Sequence, residues 1–409
     1  MKPGTAAPLG LAAGAQEAGH TLKQLAKRLG RLGTETAFET LAKARALERQ
    51  GRDIVHLEIG EPDFDTPEHI RQAAKEALDK GYTHYGPSPG LPEAREAVAR
   101  HQTQRQGYPV EAQRIVITPG GKPIMFFAIL ALVDEGDEVI YPNPGFPIYE
   151  SMINFVGGKA VPLQLNEESG FNANIEELRR KVTKKTKLII VNSPNNPCGS
   201  VVPDADLKKI AEIAVENDCY VMSDEIYKDF YYEGQHTSVS RFPGMKERTV
   251  ILDGFSKSYA MTGWRLGYGV LPEQLVEPVS RLMTNSVSCT ASFSQIAAIK
   301  ALEAPQDSVK KMVAEFKKRR EVVVKELNSI PGVSCPVPKG AFYAFPNIRG
   351  TGMSSREFAN AALEKAGVAL LSGTAFGEFG DGYIRISFAN SIANLQEATK
   401  RLREFLAKR

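Results

Sequence analysis

Between residues 114 and 269, short unbroken apolar runs alternate with stretches of helical spacing. Ile115-Val116-Ile117 precedes a helical stretch at 124–133, Glu138-Val139-Ile140 follows, and then comes Leu188-Ile189-Ile190-Val191. A helical stretch at 204–217 leads to Tyr220-Val221-Met222, and Thr249-Val250-Ile251-Leu252 closes the series. Strands that are apolar on both faces and separated by helices predict an α/β fold, with a mainly parallel sheet covered by helices on both sides. In such a sheet ligands sit beyond the carboxyl ends of the strands, so the residues just after each apolar run carry the information.

The flanking regions read differently. Residues 22–50 look helical up to Gly51, and 54–59 look like a strand running into Gly60-Glu61-Pro62-Asp63. Helices are expected at 67–80 and 92–106, each with proline in its first turn. Toward the C-terminus a charged helical stretch at 308–327 precedes Ala341-Phe342-Tyr343-Ala344-Phe345. A further helix at 355–366, the alternating run Tyr383-Ile384-Arg385-Ile386-Ser387 and a last helix complete the chain. This pattern predicts a large domain at 61–299 beside a smaller, discontinuous α+β domain made of 21–60 and 300–409. Residues 1–20, rich in Ala and Gly, read as a flexible extension without the apolar core of an export signal, which points to the cytoplasm.

Composition narrows the function. The 409 residues are 42% hydrophobic, enough for a packed core and too much for a disordered chain. Fifty-one basic against 48 acidic residues give a net charge of +3, no electrostatic case for a nucleic-acid or membrane partner. No apolar run reaches the roughly 20 residues that span a bilayer. Four scattered cysteines without a CxxC pair, and six histidines without a cluster at ligand spacing, argue against a disulfide framework or a metal site.

Candidate chemistry gathers at the strand ends. Thr118 runs into Pro119-Gly120-Gly121-Lys122-Pro123 and a helix, which is either a phosphate seat or a tight strand-to-helix turn. After the next three runs come Asn192-Ser193-Pro194-Asn195-Asn196-Pro197, Ser223-Asp224-Glu225-Ile226-Tyr227 and Asp253-Gly254-Phe255-Ser256-Lys257. A rim lysine can condense with an aldehyde cofactor, and an aspartate can keep a pyridine nitrogen protonated. At ~3 Å and an effective dielectric of ~20 that ion pair gains on the order of 5 kcal/mol before desolvation. Arg265, eight residues beyond the lysine, can clamp a phosphate. Arg385, flanked by apolar residues in a strand, needs an anion: a substrate carboxylate or an internal salt bridge.

Taken together, Gly60-Glu61-Pro62-Asp63-Phe64, Tyr85-Gly86-Pro87-Ser88-Pro89-Gly90, Asn192-Ser193-Pro194-Asn195-Asn196-Pro197, Ser223-Asp224-Glu225-Ile226-Tyr227 and Ser256-Lys257…Gly263-Trp264-Arg265 resemble the pyridoxal-phosphate-dependent aminotransferases of fold type I, class I/II. The likeness is strongest to the bacterial aspartate and related amino-acid aminotransferases and runs from about Thr34 to the C-terminus. It implies that Lys257 forms the imine link to pyridoxal 5'-phosphate and shuttles the proton, that Asp224 holds the pyridine nitrogen, and that Tyr227 and Asn195 hydrogen-bond the ring oxygen. Gly120, Gly121, Lys122 and Arg265, with Ser256, would hold the phosphate, and Tyr85 would reach it from the neighbouring subunit of a homodimer. Arg385, helped by Asn195 and the Gly60 backbone, would bind the α-carboxylate of the amino-acid or 2-oxo-acid substrate.

Two positions depart from the pattern. Phe146 stands where such proteins often stack a tryptophan on the cofactor ring, and Gly254 stands where some carry a hydroxyl three residues before the lysine. Glu35 and Phe38 flank the expected substrate entrance, where Glu35 is either a solvated helix-start glutamate or a charge that disfavours dicarboxylates. The resemblance implies ping-pong transamination, with a carbon–sulfur β-lyase or another pyridoxal-phosphate enzyme of specialised metabolism as the alternative on the same fold. A cofactor-sensing regulator would need a DNA-binding extension, and residues 1–20 hold neither a helix-turn-helix pattern nor a basic block.

Overall fold

A computed structural model describes residues 23–408; the expected extension at 1–20 lies outside the described residues. The first strand, β1 (Val55–His56), belongs to a small sheet considered below. The main sheet contains β2 (Ile115–Thr118), β3 (Glu138–Asn143), β4 (Lys159–Asn166), β5 (Asn172–Ala173), β6 (Thr186–Asn192), β7 (Tyr220–Asp224), β8 (Thr249–Gly254) and β9 (Gly267–Val270). Its order is β2-β9-β8-β7-β6-β3-β4-β5. The central pairs from β8 through β7, β6 and β3 to β4 are parallel, whereas β9 is antiparallel to both β2 and β8, and β5 to β4. The expected mainly parallel sheet is therefore present.

Every residue of β2, β3 and β8 is buried. Burial on both faces explains why the sequence shows unbroken apolar runs here and no alternation. The helix Lys122–Leu132 packs Ile124, Met125, Ala128 and Ile129 onto Val250, Leu252 and Leu271. Each such side chain contributes about 1.5–3 kcal/mol on full burial, so this helix is held with its N-terminus at the carboxyl edge of the sheet. On the other face the helix Asp204–Glu216 buries Leu207, Ile210, Ile213 and Ala214 against Ile189, Val191 and Val221.

The remaining strands are β10 (Tyr343–Ala344), β11 (Val368–Ala369), β12 (Leu371–Ser372) and β13 (Ile384–Ser387). β1 pairs in parallel with β11, so residues near 55 pack with the C-terminal part of the chain, as do Val55 and Leu57 with Phe316, Phe342 and Phe388. A second small sheet has the order β10-β13-β12. The helical expectation over 22–50 shrinks to a 3-10 turn Lys27–Arg31 and an α-helix Ala37–Glu48, with Gly30 and Gly33 falling in and after the turn. Among the described residues no helix is long and apolar enough to cross a membrane.

Candidate active site

The parallel register brings the informative strand ends to one edge. Asn192 lies opposite Asp224, Asp224 opposite Leu252, and Gly254 and Thr118 both pair with Gly267. Beyond this edge opens a cavity of about 940 Å³ lined by, among others, Gly60, Gly121, Lys122, Phe146, Asp224, Tyr227, Ser256, Lys257, Arg265 and Arg385. Ten sequence candidates thus share one chamber.

Lys257 donates from Nζ to the Gly60 carbonyl oxygen at 2.5 Å and sits 5.8 Å from the centre of the Tyr227 ring. Burial lowers its pKa to about 8, with Glu61 and Glu35 opposing and Arg385 and Lys122 assisting. Such a drop raises the neutral, nucleophilic fraction near neutrality by roughly a hundredfold or more. Asp224, buried at the end of β7, accepts the Tyr149 hydroxyl at 2.5 Å and the Ile226 N–H at 3.2 Å. Burial still pushes its pKa up to about 6, against those two hydrogen bonds. An uncompensated carboxylate in this position favours a cationic partner. The Tyr227 hydroxyl meets that of Tyr343 at 2.6 Å, and burial holds the Tyr227 phenol well above its ordinary pKa.

An anion seat lies at the first turn of the helix Lys122–Leu132. Gly120 has φ +91°, and a β-carbon there would come within 2.3 Å of the Arg265 guanidinium. Arg265, itself at φ +52°, donates from Nη1 to the Thr262 carbonyl at 2.7 Å, which leaves its remaining donors for a ligand. Glycine at 120 is thus what lets Arg265 cross the turn where helix N–H groups are free. Gly120 itself backs Arg265 and does not line the cavity.

Among the described residues Arg385 has no carboxylate partner, so no internal salt bridge forms there. Its Nη1 donates to Asn196 Oδ1 at 3.1 Å, its Nη2 to the Glu58 carbonyl, and Nε is buried without a partner among the described residues. The guanidinium lies 4.5 Å from the Tyr343 ring centre and 4.9 Å from that of Phe376. A buried guanidinium with an unmet donor is built for an anion. Gly60 approaches so closely that a β-carbon there would lie 2.0 Å from the Tyr343 hydroxyl oxygen.

The structure places two candidate side chains, those of Asn195 and Lys122, away from their expected contacts. Asn195 does not face the cavity: its Oδ1 accepts the Cys198 N–H at 3.0 Å, and its backbone is tied to Ser200 and Gly199, so the tight turn consumes it. Its neighbour Asn196 faces the cavity and Arg385 instead. The Lys122 side chain is turned away from the phosphate role: its Nζ pairs with Glu35 Oε2 at 2.5 Å and lies 5.2 Å from the Phe146 ring centre. Glu35 is accordingly an ion-pair partner at the mouth, not a solvated helix-start glutamate. Tyr85, expected to serve the neighbouring subunit, is 91% exposed and does not line the cavity of its own chain. Sequence reasoning missed Tyr149, Tyr343 and Asn192, which line the chamber and orient Asp224 and Tyr227; Asn192 Nδ2 donates to the Asp224 carbonyl at 3.2 Å.

The family model for aminotransferase class I and II matches residues 52–402. The chain is 44% identical to the aspartate aminotransferase of Pyrococcus abyssi over 87% of its length and 92% of that protein's. It is 43% identical to aromatic-amino-acid aminotransferase 2 of Thermococcus litoralis, with 86% and 92% covered. The solved aspartate aminotransferase from Thermus thermophilus, with maleate, superposes at a TM-score of 0.90 and 37% identity, covering 94% of this chain and 100% of that one. The chain belongs to the class I and II aminotransferases. It is an enzyme that transfers amino groups on the type I fold, and the β-lyase alternative finds no support among these relatives.

Proposed function

We propose that this chain moves the amino group of an L-amino acid to a 2-oxo acid on pyridoxal 5'-phosphate, in two half-reactions that share the cavity above. The observation that carries the reading is the meeting of a buried amine, Lys257, a buried carboxyl, Asp224, and an anion-seeking guanidinium, Arg385, in one chamber. Bound there, the cofactor supplies an aldehyde for the amine and an electron sink for the substrate's α-carbon. Asp224, oriented by Tyr149, would set its negative charge against the ring nitrogen. Tyr227 and Asn196 would hydrogen-bond the ring oxygen, and Phe146 would pack on the ring. Arg265, Ser256 and the N–H groups at Gly121 and Lys122 would hold the phosphate. Arg385 would bind the α-carboxylate beside the Gly60 backbone, and the Lys257 amine would take the α-proton and return it. A positioned amine contributes about 10²–10⁴-fold to such a transfer.

Two copies assemble, with the exposed Tyr85 of each reaching the other's phosphate seat. Residues 21–60 with 300–409 act as one small unit beside the large one at 61–299. Aspartate and aromatic donors are both represented among the named relatives, so donor choice rests on the outer wall, where Glu35 occupies Lys122 and disfavours a second substrate carboxylate. The decisive experiment follows 2-oxo-acid release and cofactor colour for the wild type and Lys257→Ala, across acidic, aromatic and small donors. The wild type should be coloured and active, and the variant neither. Colour and turnover retained by Lys257→Ala would defeat the reading.

A further inference from the structure

Behind the turn that carries Lys257 lies a buried set of charges that none of these roles uses. Asp253, fully buried in β8, accepts Lys228 Nζ at 2.6 Å, the Tyr268 hydroxyl at 2.6 Å, Gln102 Nε2 at 3.1 Å and the Gly254 N–H at 2.7 Å. Asp229 accepts Arg105 Nη1 at 2.8 Å on one oxygen and the Ser258 hydroxyl at 2.5 Å on the other, with Lys228 Nζ 3.6 Å from the latter. Two cations balance two anions. Nearby His101 adds no charge at neutral pH, because burial first, then Lys228 and Arg105, lower its pKa to about 4. Burial opposes ionisation of Asp229, but Lys228 and Arg105 outweigh it and hold the carboxyl well below its usual range.

Sequence position gives this cluster its meaning. Lys228 and Asp229 directly follow Tyr227, Asp253 lies four residues before Lys257, and Ser258 is its immediate neighbour. The cluster therefore joins the segment bearing Asp224 and Tyr227 to the segment bearing Lys257. The far end of the same turn is held separately. Ala260, at φ +50°, a backbone region its β-carbon disfavours, presents its carbonyl to Thr66 Oγ1 at 2.6 Å, and Trp264 Nε1 donates to the same hydroxyl at 2.9 Å. Besides the turn's own backbone bonds to Ser256 and Lys257, the Ser258–Asp229 bond ties the residue next to the lysine to the buried cluster.

We propose that Asp229, acting through the Ser258 hydroxyl, is a positioning residue for Lys257 that fixes the reach of its amine for proton transfer. This rests on the amino-transfer reading above. A misplacement of about 1 Å at a reacting group costs on the order of 10²-fold in rate. Because the amine must serve two carbons in turn, loosening its anchor slows the proton step and leaves donor binding, which belongs to Arg385, nearly untouched.

The test uses the holoenzyme with Ser258→Ala, Ser258→Thr and Asp229→Asn. Ser258→Ala should lower kcat by about 10- to 100-fold with little change in KM, and should raise the isotope effect on kcat with a Cα-deuterated donor. Ser258→Thr, which keeps the hydroxyl, should restore both. In the cofactor-free protein, amide exchange at residues 259–261, whose N–H groups bond back to residues 255–257, should quicken in Ser258→Ala while β7 stays protected. Should Asp229→Asn not fold, the Ser258 pair still decides the matter. A lowered melting temperature with wild-type kcat and isotope effect, unchanged exchange at 259–261, or a Ser258→Thr as impaired as Ser258→Ala, overturns the proposal. A wild type that is colourless and inactive instead defeats the amino-transfer reading itself.

Discussion

The two walls of the cavity are built on opposite terms. The inner wall, at the strand ends, is buried, and its polar groups are held by other polar groups: Tyr149 on Asp224, Tyr343 on Tyr227, Asn196 on Arg385. The outer wall carries Glu35, Phe38, Leu41 and Lys122, with Phe38 60% exposed and the Lys122 side chain about half so. Burial makes each inner contact strong and intolerant of change, whereas the outer ion pair is weakened by water and salt. The inner wall is suited to fixing a reaction and the outer wall to selecting among substrates.

Substitutions can set the walls against each other. The largest effect is expected for Lys257→Ala, where turnover should fall by about 10²–10⁴-fold or more from the lost proton transfer, read as 2-oxo-acid release, with the melting temperature kept. Arg385→Lys comes next. Losing the planar fork should reduce kcat/KM by about 10- to 100-fold, mostly through KM, on the scale of one or two charge-assisted hydrogen bonds. A pH titration of cofactor affinity probes Asp224. Burial raises its pKa to about 6, so cofactor retention should weaken as pH falls through that value and the carboxylate takes a proton. Tyr149→Phe removes a donor that favours the ionised form and should move that midpoint upward. In the cofactor-free protein the sign reverses. Between about pH 4 and 6 the folded state holds a proton the unfolded chain has released, so this group makes stability fall as pH rises through that window. The smallest effect is expected at the outer wall. Glu35→Gln frees Lys122 and should raise kcat/KM for a dicarboxylic donor relative to an aromatic one by about two- to fivefold, shrinking with added salt. An effect at Glu35 as large as that at Arg385 would abolish the distinction between the walls.

The sheet's parallel strands were legible because burial on both faces leaves a one-dimensional mark, an apolar run. β9 was not, because Gly267 and Gly269 alternate with Tyr268 and Val270 and read as loop. They are small because neighbours crowd them; a β-carbon on Gly267 would lie 2.5 Å from the Gly120 backbone. β4 was missed for the opposite reason, since it is partly exposed along its length. In the site, Lys257, Asp224 and Arg385 were readable from strand ends and local motif. The choice between Asn195 and Asn196 was not, because adjacent identical residues differ only in which way the turn points them. Tyr149 and Tyr343 act across 75 and 116 residues of chain, on Asp224 and Tyr227. Such contacts leave no local signal.

Trp264 is the single tryptophan of the chain, and it stands two hydrogen bonds from the turn that bears the lysine. Its fluorescence is therefore an intrinsic, label-free gauge of that turn, uncontaminated by emission from other indoles. Loading with a chromophore nearby should quench it, and stopped-flow traces of that quenching would time the seating of the vitamin without any chemical tagging.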